Sequence, residues 1–466
     1  MTPIKFGTDG WRAIIAKDFT VDNVTRVAEA TAKWMKERNM HPSVVVGHDC
    51  RFGGELFAET VALVMCRNNI RVKLAKGFVS TPMVSLGAKA FGADLGVIIT
   101  ASHNPPSYNG YKLKGGFGGP ASTATISEVE ELIPEKAAPP EGTVPEFVKK
   151  GLIEYVDLES LYIEHVRKNF DLKAIEKSGL VLAYDAMYGA GQNVIKKILP
   201  DAILLHCDYN PSFKGIAPEP LDKNLQEFSQ LIKESSDIDA GLATDGDADR
   251  LAMYDEKGNY VDAHHLILLL VHYLHKHRKM SGKVVIAFSV SNKVKKLCEI
   301  YGLPCQVTKI GFKYICEIMM KEDVLVGGEE SGGIAVKGHI PERDGIWDGL
   351  VILEYMAKSG KSVTDLIKEV YAVVGPFSYE RNDLHLTEEL KQKIITNCKK
   401  GKYKAFGANK ITRVEEMDGY KFYFGEDETV MLRASGTEPV LRVYVEAPSK
   451  KRVHELLKAA EETLMK

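Results

Sequence analysis

The sequence predicts an α/β protein: three similar α/β domains with helix-covered mixed sheets, then a smaller α+β C-terminal domain, arranged around a central cleft. Three observations carry that expectation. Short apolar β-branched runs alternate with helical patterns, which makes βαβ units; the alternation starts afresh twice; and 466 residues exceed what one hydrophobic core holds.

The first round begins after Phe6-Gly-Thr-Asp-Gly-Trp-Arg12 with a helical pattern from Val21 to Arg38 and a strand at Val44-Val-Val. A helix across Glu55 to Arg67, the strand Val72-Lys-Leu, a helix near Pro82 to Ala90 and the strand Leu95 to Ile99 complete it. Pro134 to Pro145, rich in Pro, Ala, Glu and Lys, reads as a linker. The second round has strands at Leu180-Val-Leu-Ala-Tyr, Ala202-Ile-Leu-Leu and Ala240-Gly-Leu-Ala, with helices near Gly191 to Leu199 and Asn224 to Glu234. A hairpin at Glu256-Lys-Gly-Asn259 opens the third, which runs through a long helix from Ala263, Val284-Val-Ile, helices near Lys293 and Phe312, and Val324-Leu-Val. Gly375-Pro376 punctuates the change to an α+β segment that ends in an amphipathic helix around Val453 to Leu464. The expected domains are 1–145, 146–252, 253–374 and 375–466.

Composition narrows the function. With 45% apolar and 27% charged residues the chain is an ordinary folded protein, and a formal net charge of −2 gives no global reason to bind nucleic acid. Met1-Thr-Pro-Ile-Lys-Phe lacks the charged start and apolar core of a secretory signal, and Leu266 to Leu274 is too short to span a bilayer, so a cytoplasmic location with no membrane partner is expected. The 7 cysteines contain no Cys-x-x-Cys and suggest neither a disulfide framework nor a zinc ribbon. Any anionic ligand must therefore be held by local groups.

The three rounds share a pattern of acidic residue, buried strand and polar loop. Ala93-Asp-Leu-Gly-Val-Ile-Ile leads into Ser102, Ile238-Asp-Ala-Gly-Leu-Ala into Asp245-Gly-Asp-Ala-Asp249, and Glu322-Asp-Val-Leu-Val into Gly327-Gly-Glu-Glu-Ser331. Ligands collect outside the carboxyl ends of strands in such sheets, so the loops can converge on one cleft. In the first loop, Thr100-Ala-Ser102-His103-Asn104-Pro105-Pro106, the prolines stop the strand; a plain turn is the competing reading.

Asp245, Asp247 and Asp249 would repel one another unless a hard cation sat among them, and magnesium suits oxygen ligands of this kind. An EF-hand loop competes, but Arg250 stands where that loop needs glycine and the flanks read as strands; a solvated acidic turn is the other alternative. Arg250 is a phosphate ligand or a charge partner. Near the end, Arg433-Ala-Ser435-Gly436-Thr437 and Arg442 bring guanidinium forks, hydroxyls and a close-approaching backbone together, as a bound phosphate requires, though a hairpin with surface arginines has the same outline. Glu329 and Ser331 suit vicinal sugar hydroxyls, while a glycine-rich turn is the simpler account. Two stretches are decoys. Gly189-Ala-Gly191, with Asp208 downstream, partly mimics a dinucleotide fingerprint, but Val194 replaces its third small residue. The histidines at 264, 265, 272, 275 and 277 read as a solvated helix face.

Taken together, Thr8-Asp-Gly-Trp-Arg12, Thr100-Ala-Ser-His-Asn-Pro-Pro, Asn109-Gly-Tyr-Lys112, Asp245-Gly-Asp-Ala-Asp-Arg250, Gly328-Glu-Glu-Ser-Gly and Arg433-Ala-Ser-Gly-Thr-Glu-Pro make the chain resemble the α-D-phosphohexomutase superfamily, which includes phosphoglucomutases and phosphomannomutases. The resemblance runs nearly end to end. It implies four domains around a deep cleft, with Ser102 carried as phosphoserine and Mg²⁺ held by that phosphate and by Asp245, Asp247 and Asp249. It further implies that a hexose 1-phosphate and a hexose 6-phosphate interconvert through a bound hexose 1,6-bisphosphate, which also serves as activator.

By motif position, Lys112 takes the acid/base role, with Arg12 and His103 assisting at Ser102. Arg250, Glu329 and Ser331 contact substrate, and Arg433, Ser435, Gly436, Thr437 and Arg442 hold the non-transferred phosphate. A mobile fourth domain permits the bisphosphate to reorient. The Glu-Glu-Ser loop looks closest to glucose-preferring members, and His339 matches a histidine-containing segment of phosphoglucomutases. The expected partners are small phosphosugars, with oligomeric state left open. Rival readings are a mannose-preferring or dual-specificity mutase, a phosphosugar-binding relative without transfer chemistry, and a magnesium-dependent phosphatase that releases free phosphate.

Overall fold

A computed structural model describes residues 4–7, 9–434 and 439–465. The chain forms two compact units, one of Met1–Gly282 with Gly311–Leu366 and one of Lys283–Ile310 with Ile367–Lys466.

The first unit opens on a 7-stranded sheet in the order Trp11–Ile14, Tyr108–Gly115, Leu95–Ile99, Ser43–His48, Arg71–Ala75, Ile153–Val156, with Gly119–Pro120 paired to Tyr108–Gly115. Its centre is parallel, as the βαβ pattern requires, whereas Tyr108–Gly115 runs antiparallel to both Leu95–Ile99 and Trp11–Ile14. The mixed sheet arises because the loop after Ile99 turns straight back on itself instead of crossing over through a helix. All five residues of Leu95–Ile99 are buried, which explains its continuous apolar run.

Helix Val21–Lys36 places Val24, Val27, Ala28, Thr31 and Met35 on its buried face at helical spacing, and Thr20 caps its start by accepting a hydrogen bond from Asn23 N. Helix Thr81–Ala90 is set by Ser80 at its cap and Pro82 in its first turn. The first sheet reaches past the expected boundary at 145, because Ile153–Val156 lies parallel to Arg71–Ala75.

The second sheet has the order Tyr260–Val261, Leu251–Tyr254, Ala240–Thr244, Leu182–Asp185, Ile203–Leu205. The hairpin at Glu256–Asn259 returns its last strand to this sheet, so the boundary expected after residue 252 falls inside a strand. Loop polarity marks where a chain turns, and pairing decides which sheet it rejoins. Beyond this, Val324–Gly328 pairs antiparallel with Ile334–Val336, and helix Gly345–Ser359, capped by Asp344 through Trp347 N and ended by Gly360 at φ 67°, is buried from Gly345 to Met356.

The histidine stretch differs from expectation. Helix Ala263–His272 is apolar nearly all round and buried; His264 and His272 lie inside it, and the His272 ring sits 6.2 Å from that of Tyr355.

The second unit contains the parallel pair Lys283–Ala287 and Cys305–Thr308 with helix Asn292–Tyr301 between them. It also holds an antiparallel sheet in the order Ser378–His385, Val440–Ala447, Thr429–Ala434, Tyr420–Tyr423, Arg413–Glu416, covered by helix Lys450–Leu464. Leu432, Leu441, Val443, Val453, Leu456 and Ala460 form its core. All seven cysteines are unbridged, and among the described residues no helix is long and apolar enough to cross a membrane.

One charge is buried in the second unit. Lys421, 3% exposed, places its Nζ 4.7 Å from the centroid of the Phe288 ring, and burial together with Lys295 lowers its pKa to about 8 against the opposing pull of Glu446 and Glu415. A lysine with a folded pKa below its unfolded value weakens the fold at neutral pH, and the penalty shrinks as pH rises above the folded pKa. Lys421→Met is therefore expected to raise the melting temperature most at pH 7 and progressively less from pH 8 to pH 10, as read by thermal unfolding across that range.

Candidate active site

Three strand ends of the first unit supply the site. Leu95–Ile99 runs into Ser102, Ala240–Thr244 into Asp245, and Val324–Gly328 into Glu329. Ser102 is buried at φ 52°, and its Oγ donates a hydrogen bond to Asp245 Oδ2 at 2.7 Å and lies 3.3 Å from His103 Nδ1. Gly246 allows this approach, since a Cβ there would come within 2.5 Å of the Ser102 carbonyl oxygen.

Asp245, Asp247 and Asp249 are all at 0% exposure, and each offers an oxygen within 4.8 Å of the others. The loop partly satisfies itself, because Asp249 N and Arg250 N donate to Asp245 Oδ1 at 3.0 and 3.2 Å. Asp247 Oδ1 and Asp249 Oδ1 are buried without a hydrogen-bond partner. Orphaned carboxylate oxygens in a buried all-oxygen cluster fit a hard divalent cation. Burial and the neighbouring Asp247 and Asp249 push Asp245 well above the ordinary carboxylate range. Burial would raise Asp247 too, but Lys112 outweighs it and holds that carboxyl below its usual value.

Lys112 sits at the centre, its Nζ 2.8 Å from Asp247 Oδ2, 2.9 Å from Asp9 Oδ2 and 3.4 Å from Asp249 Oδ2. Burial alone would lower its pKa, yet these three carboxylates raise it above the usual lysine value. This is the opposite of the lowered pKa that a basic lysine needs, so in this arrangement Lys112 is an ammonium and a proton donor. Arg12 Nη1 donates to Asn104 Oδ1 at 2.6 Å, next to Ser102. Burial, then Arg250, Arg12 and Lys112, push His103 well below the usual imidazole range and keep it neutral.

Glu329 Oε1 accepts from Gly311 N at 2.9 Å, and burial raises its pKa against the pull of Arg343 and Arg250. Its loop closes on the second sheet through Leu251 N and Gly332 O at 3.0 Å, and a Cβ on Gly332, at φ 87°, would meet the Leu251 carbonyl at 2.5 Å. Ser331 on this loop is half-buried. Arg250 Nη1 lies 3.5 Å from Glu219 Oε1, and its Nε has no partner.

His339 does not behave as a ligand-binding group. Its side chain is 1% exposed, stacks on Trp347 with ring centroids 3.8 Å apart, and places Nε2 2.9 Å from Asp344 Oδ2. The histidine is part of the packing that anchors helix Gly345–Ser359.

In the second unit, Arg433 and Arg442 face each other directly across paired strands. Each has a buried Nε without a hydrogen-bond partner; Arg433 Nη2 is 3.3 Å from Asp418 Oδ2, and Arg442 Nε is 4.0 Å from Asp383 Oδ2. Like charges opposed in a sheet are unfavourable unless an anion joins them. The predicted Ser435, Gly436 and Thr437 lie outside the described residues.

Sequence reasoning missed two arginines. Arg343 donates from Nη2 to Asp9 Oδ2 at 2.6 Å and to Asp249 Oδ2 at 2.5 Å, with Nη1 3.8 Å from Glu329 Oε2, and so ties the N-terminal segment, the aspartate loop and the glutamate loop together. Arg51 is buried beneath the serine loop and bonds its backbone. Asp49-Cys-Arg51 follows an apolar strand just as the other three loops do, which was the available signal. The fingerprint-like Gly189 turn is filled by protein, since a Cβ on Gly189 would lie 2.7 Å from the Asp245 carbonyl oxygen.

Phosphoglucomutase/phosphomannomutase family models match the chain in four consecutive segments: alpha/beta/alpha domain I over residues 3–139, domain II over 160–258, domain III over 262–374 and the C-terminal domain over 394–463. A phosphoglucomutase/phosphomannomutase of Thermococcus kodakarensis is 29% identical, with 97% of this chain and 96% of that protein aligned. A phosphoglucosamine mutase of Limosilactobacillus reuteri is 30% identical over 97% of this chain and 95% of its own length. A solved structure from Thermus thermophilus, named for phosphomannomutase, superposes with a TM-score of 0.88 at 34% identity over 100% of both chains.

Arg343 bridges carboxylates that have little other compensation. Its removal leaves buried charges unpaired, so Arg343→Ala is expected to destabilise the protein by about 3 kcal/mol or more, measured as the change in denaturant midpoint at constant m-value.

Proposed function

The chain belongs to the phosphoglucomutase/phosphomannomutase family of the α-D-phosphohexomutase superfamily, isomerases that act as intramolecular phosphotransferases, and on that premise we propose that it interconverts hexose 1-phosphate and hexose 6-phosphate, glucose preferred, through a phosphoserine at Ser102. The observation that carries this reading is Ser102 Oγ held 2.7 Å from Asp245 at the edge of a buried aspartate cluster with two orphaned oxygens.

The phosphoryl group leaves Ser102 Oγ for the free 6-hydroxyl of a hexose 1-phosphate. One P–O bond breaks and one forms, and the sugar becomes a 1,6-bisphosphate. After reorientation, the 1-phosphoryl group returns to Ser102 Oγ and hexose 6-phosphate leaves. Magnesium, held by Asp245, Asp247 and Asp249, supplies positive charge against the transferring phosphoryl oxygens. Arg12 and Lys112 add fixed cationic charge beside Ser102. Glu329 and Ser331 orient the sugar hydroxyls, and Arg433 and Arg442 balance the phosphate that is not being transferred. His103, neutral in this environment, packs against the phosphoryl carrier and leaves the local positive charge to the arginines and lysine.

A second reading is favoured by the resemblance to phosphoglucosamine mutases, among them the Limosilactobacillus reuteri protein, which extends over nearly the whole chain. The Glu329-Glu-Ser331 loop is the reason for placing glucose first.

Assays with the 1-phosphates of glucose, mannose and glucosamine, each with Mg²⁺ and a trace of the corresponding 1,6-bisphosphate, decide the substrate. Glucose 1-phosphate is expected to give the highest kcat/KM with no release of free phosphate; a faster glucosamine reaction replaces the first reading by the second. Ser102→Ala is expected to lower kcat by about a thousandfold or more while leaving sugar-phosphate binding measurable by calorimetry. Asp247→Asn is expected to weaken Mg²⁺ binding about tenfold, and an unchanged metal titration would remove that residue from the site.

A further inference from the structure

Asp49 and Arg51 follow the strand Ser43–His48, which lies parallel to the strand leading to Ser102. Both side chains are at 0% exposure, with Arg51 Nε 3.4 Å from Asp49 Oδ2. The four hydrogens on the two Nη atoms all go to the backbone of one loop. Nη1 donates to Pro105 O at 2.9 Å and Tyr108 O at 3.0 Å, and Nη2 donates to Asn104 O at 2.6 Å and to Ser102 O. The Phe213 ring covers the guanidinium, its centroid 5.0 Å from Cζ.

Asp49 works on the same loop from the other side of Ser102. Its Oδ2 accepts from the Thr100 hydroxyl, whose oxygen accepts from Ser102 N at 2.9 Å. The amide of Ser102 is thus tied to Asp49 through Thr100, and its carbonyl is tied to Arg51. Between these tethers the residue holds φ 52°, a left-handed conformation that an L-residue with a Cβ adopts at a cost of about 1 kcal/mol. Pro105 and Pro106 lack N–H groups, so the loop has few donors of its own with which to occupy these buried carbonyls.

We infer that Arg51, held by Asp49, is the positioning residue that aims Ser102 Oγ for phosphoryl transfer. The inference rests on the mutase reading above. Arg51 touches neither the substrate nor Ser102 Oγ; it acts through the backbone on either side of it. Lysine cannot replace it, because an ammonium has three donors converging on a point, whereas four divergent carbonyls require a planar fork. A misplacement of about 1 Å at a reacting atom costs on the order of a hundredfold in rate.

The test uses the full-length enzyme with Arg51→Lys and, separately, Thr100→Val, which cuts the tether from Asp49 to the Ser102 amide at nearly constant volume. Arg51→Lys is expected to lower kcat about a hundredfold per folded molecule with KM for glucose 1-phosphate within twofold. It is also expected to shift the ³¹P resonance of phosphoserine 102 and reduce its occupancy after incubation with glucose 1,6-bisphosphate. Thr100→Val is expected to lower kcat about tenfold, and it decides the question if Arg51→Lys does not fold. An active wild type with unchanged kcat and ³¹P signal in either folded variant overturns the positioning role alone. A wild type inactive on every hexose 1-phosphate, with no phosphate on Ser102, overturns the mutase reading and this inference with it.

Discussion

Charge balance in a volume without water is the constraint on which the rest of the site depends. Asp245, Asp247, Asp249 and Glu329 are buried within reach of one another's loops, and carboxylates in such surroundings either acquire partners or lose their charge. Lys112 and Arg343 answer them. Lys112 reaches the aspartate loop from Tyr108–Gly115, and Arg343 joins that loop to Asp9 and Glu329. Loops from three strand ends thereby become one object, because breaking any of these contacts leaves an uncompensated charge inside the protein.

The balance is incomplete in an informative way. Asp247 Oδ1 and Asp249 Oδ1 have no partner, whereas the other oxygen of each is well supplied by Lys112, Thr81 or Arg343. The loop is therefore held from one side and left open on the other, as a cation-binding loop should be if its ligands are to stay in place when the site is empty. Ser102 shows the same division. Its backbone is gripped by Arg51 and by Thr100 with Asp49 behind it, while its Oγ faces Asp245. Fixed support beneath and a free reacting atom above is the arrangement that transition-state positioning demands.

The elements were legible because their signals are local. Leu95–Ile99 is buried on both faces and so reads as an unbroken apolar run; Val21–Lys36 shows its buried face at helical spacing; Thr20, Ser80 and Asp344 cap the helices that follow them. Boundaries were less legible. Ile153–Val156 and Tyr260–Val261 return to sheets begun much earlier in the chain, and pairing across such distances leaves no local mark. The histidines misled for a related reason: His272 and His339 are polar in sequence, but ring stacking and a carboxylate partner allow them to be buried.

By itself the sequence determined which residues could do phosphoryl chemistry: a serine at a strand end, three alternating aspartates, a glutamate and serine in a glycine-rich loop, and two arginines near the C-terminus. Those signals depend on residue type and spacing, which a linear chain displays. Only the tertiary structure decided that Lys112 is an ammonium among three carboxylates, that His339 belongs to the packing, and that Arg51 and Arg343 hold the loops in place. Each of those outcomes depends on which groups meet after burial, and a charge's role is set by the partners it meets there.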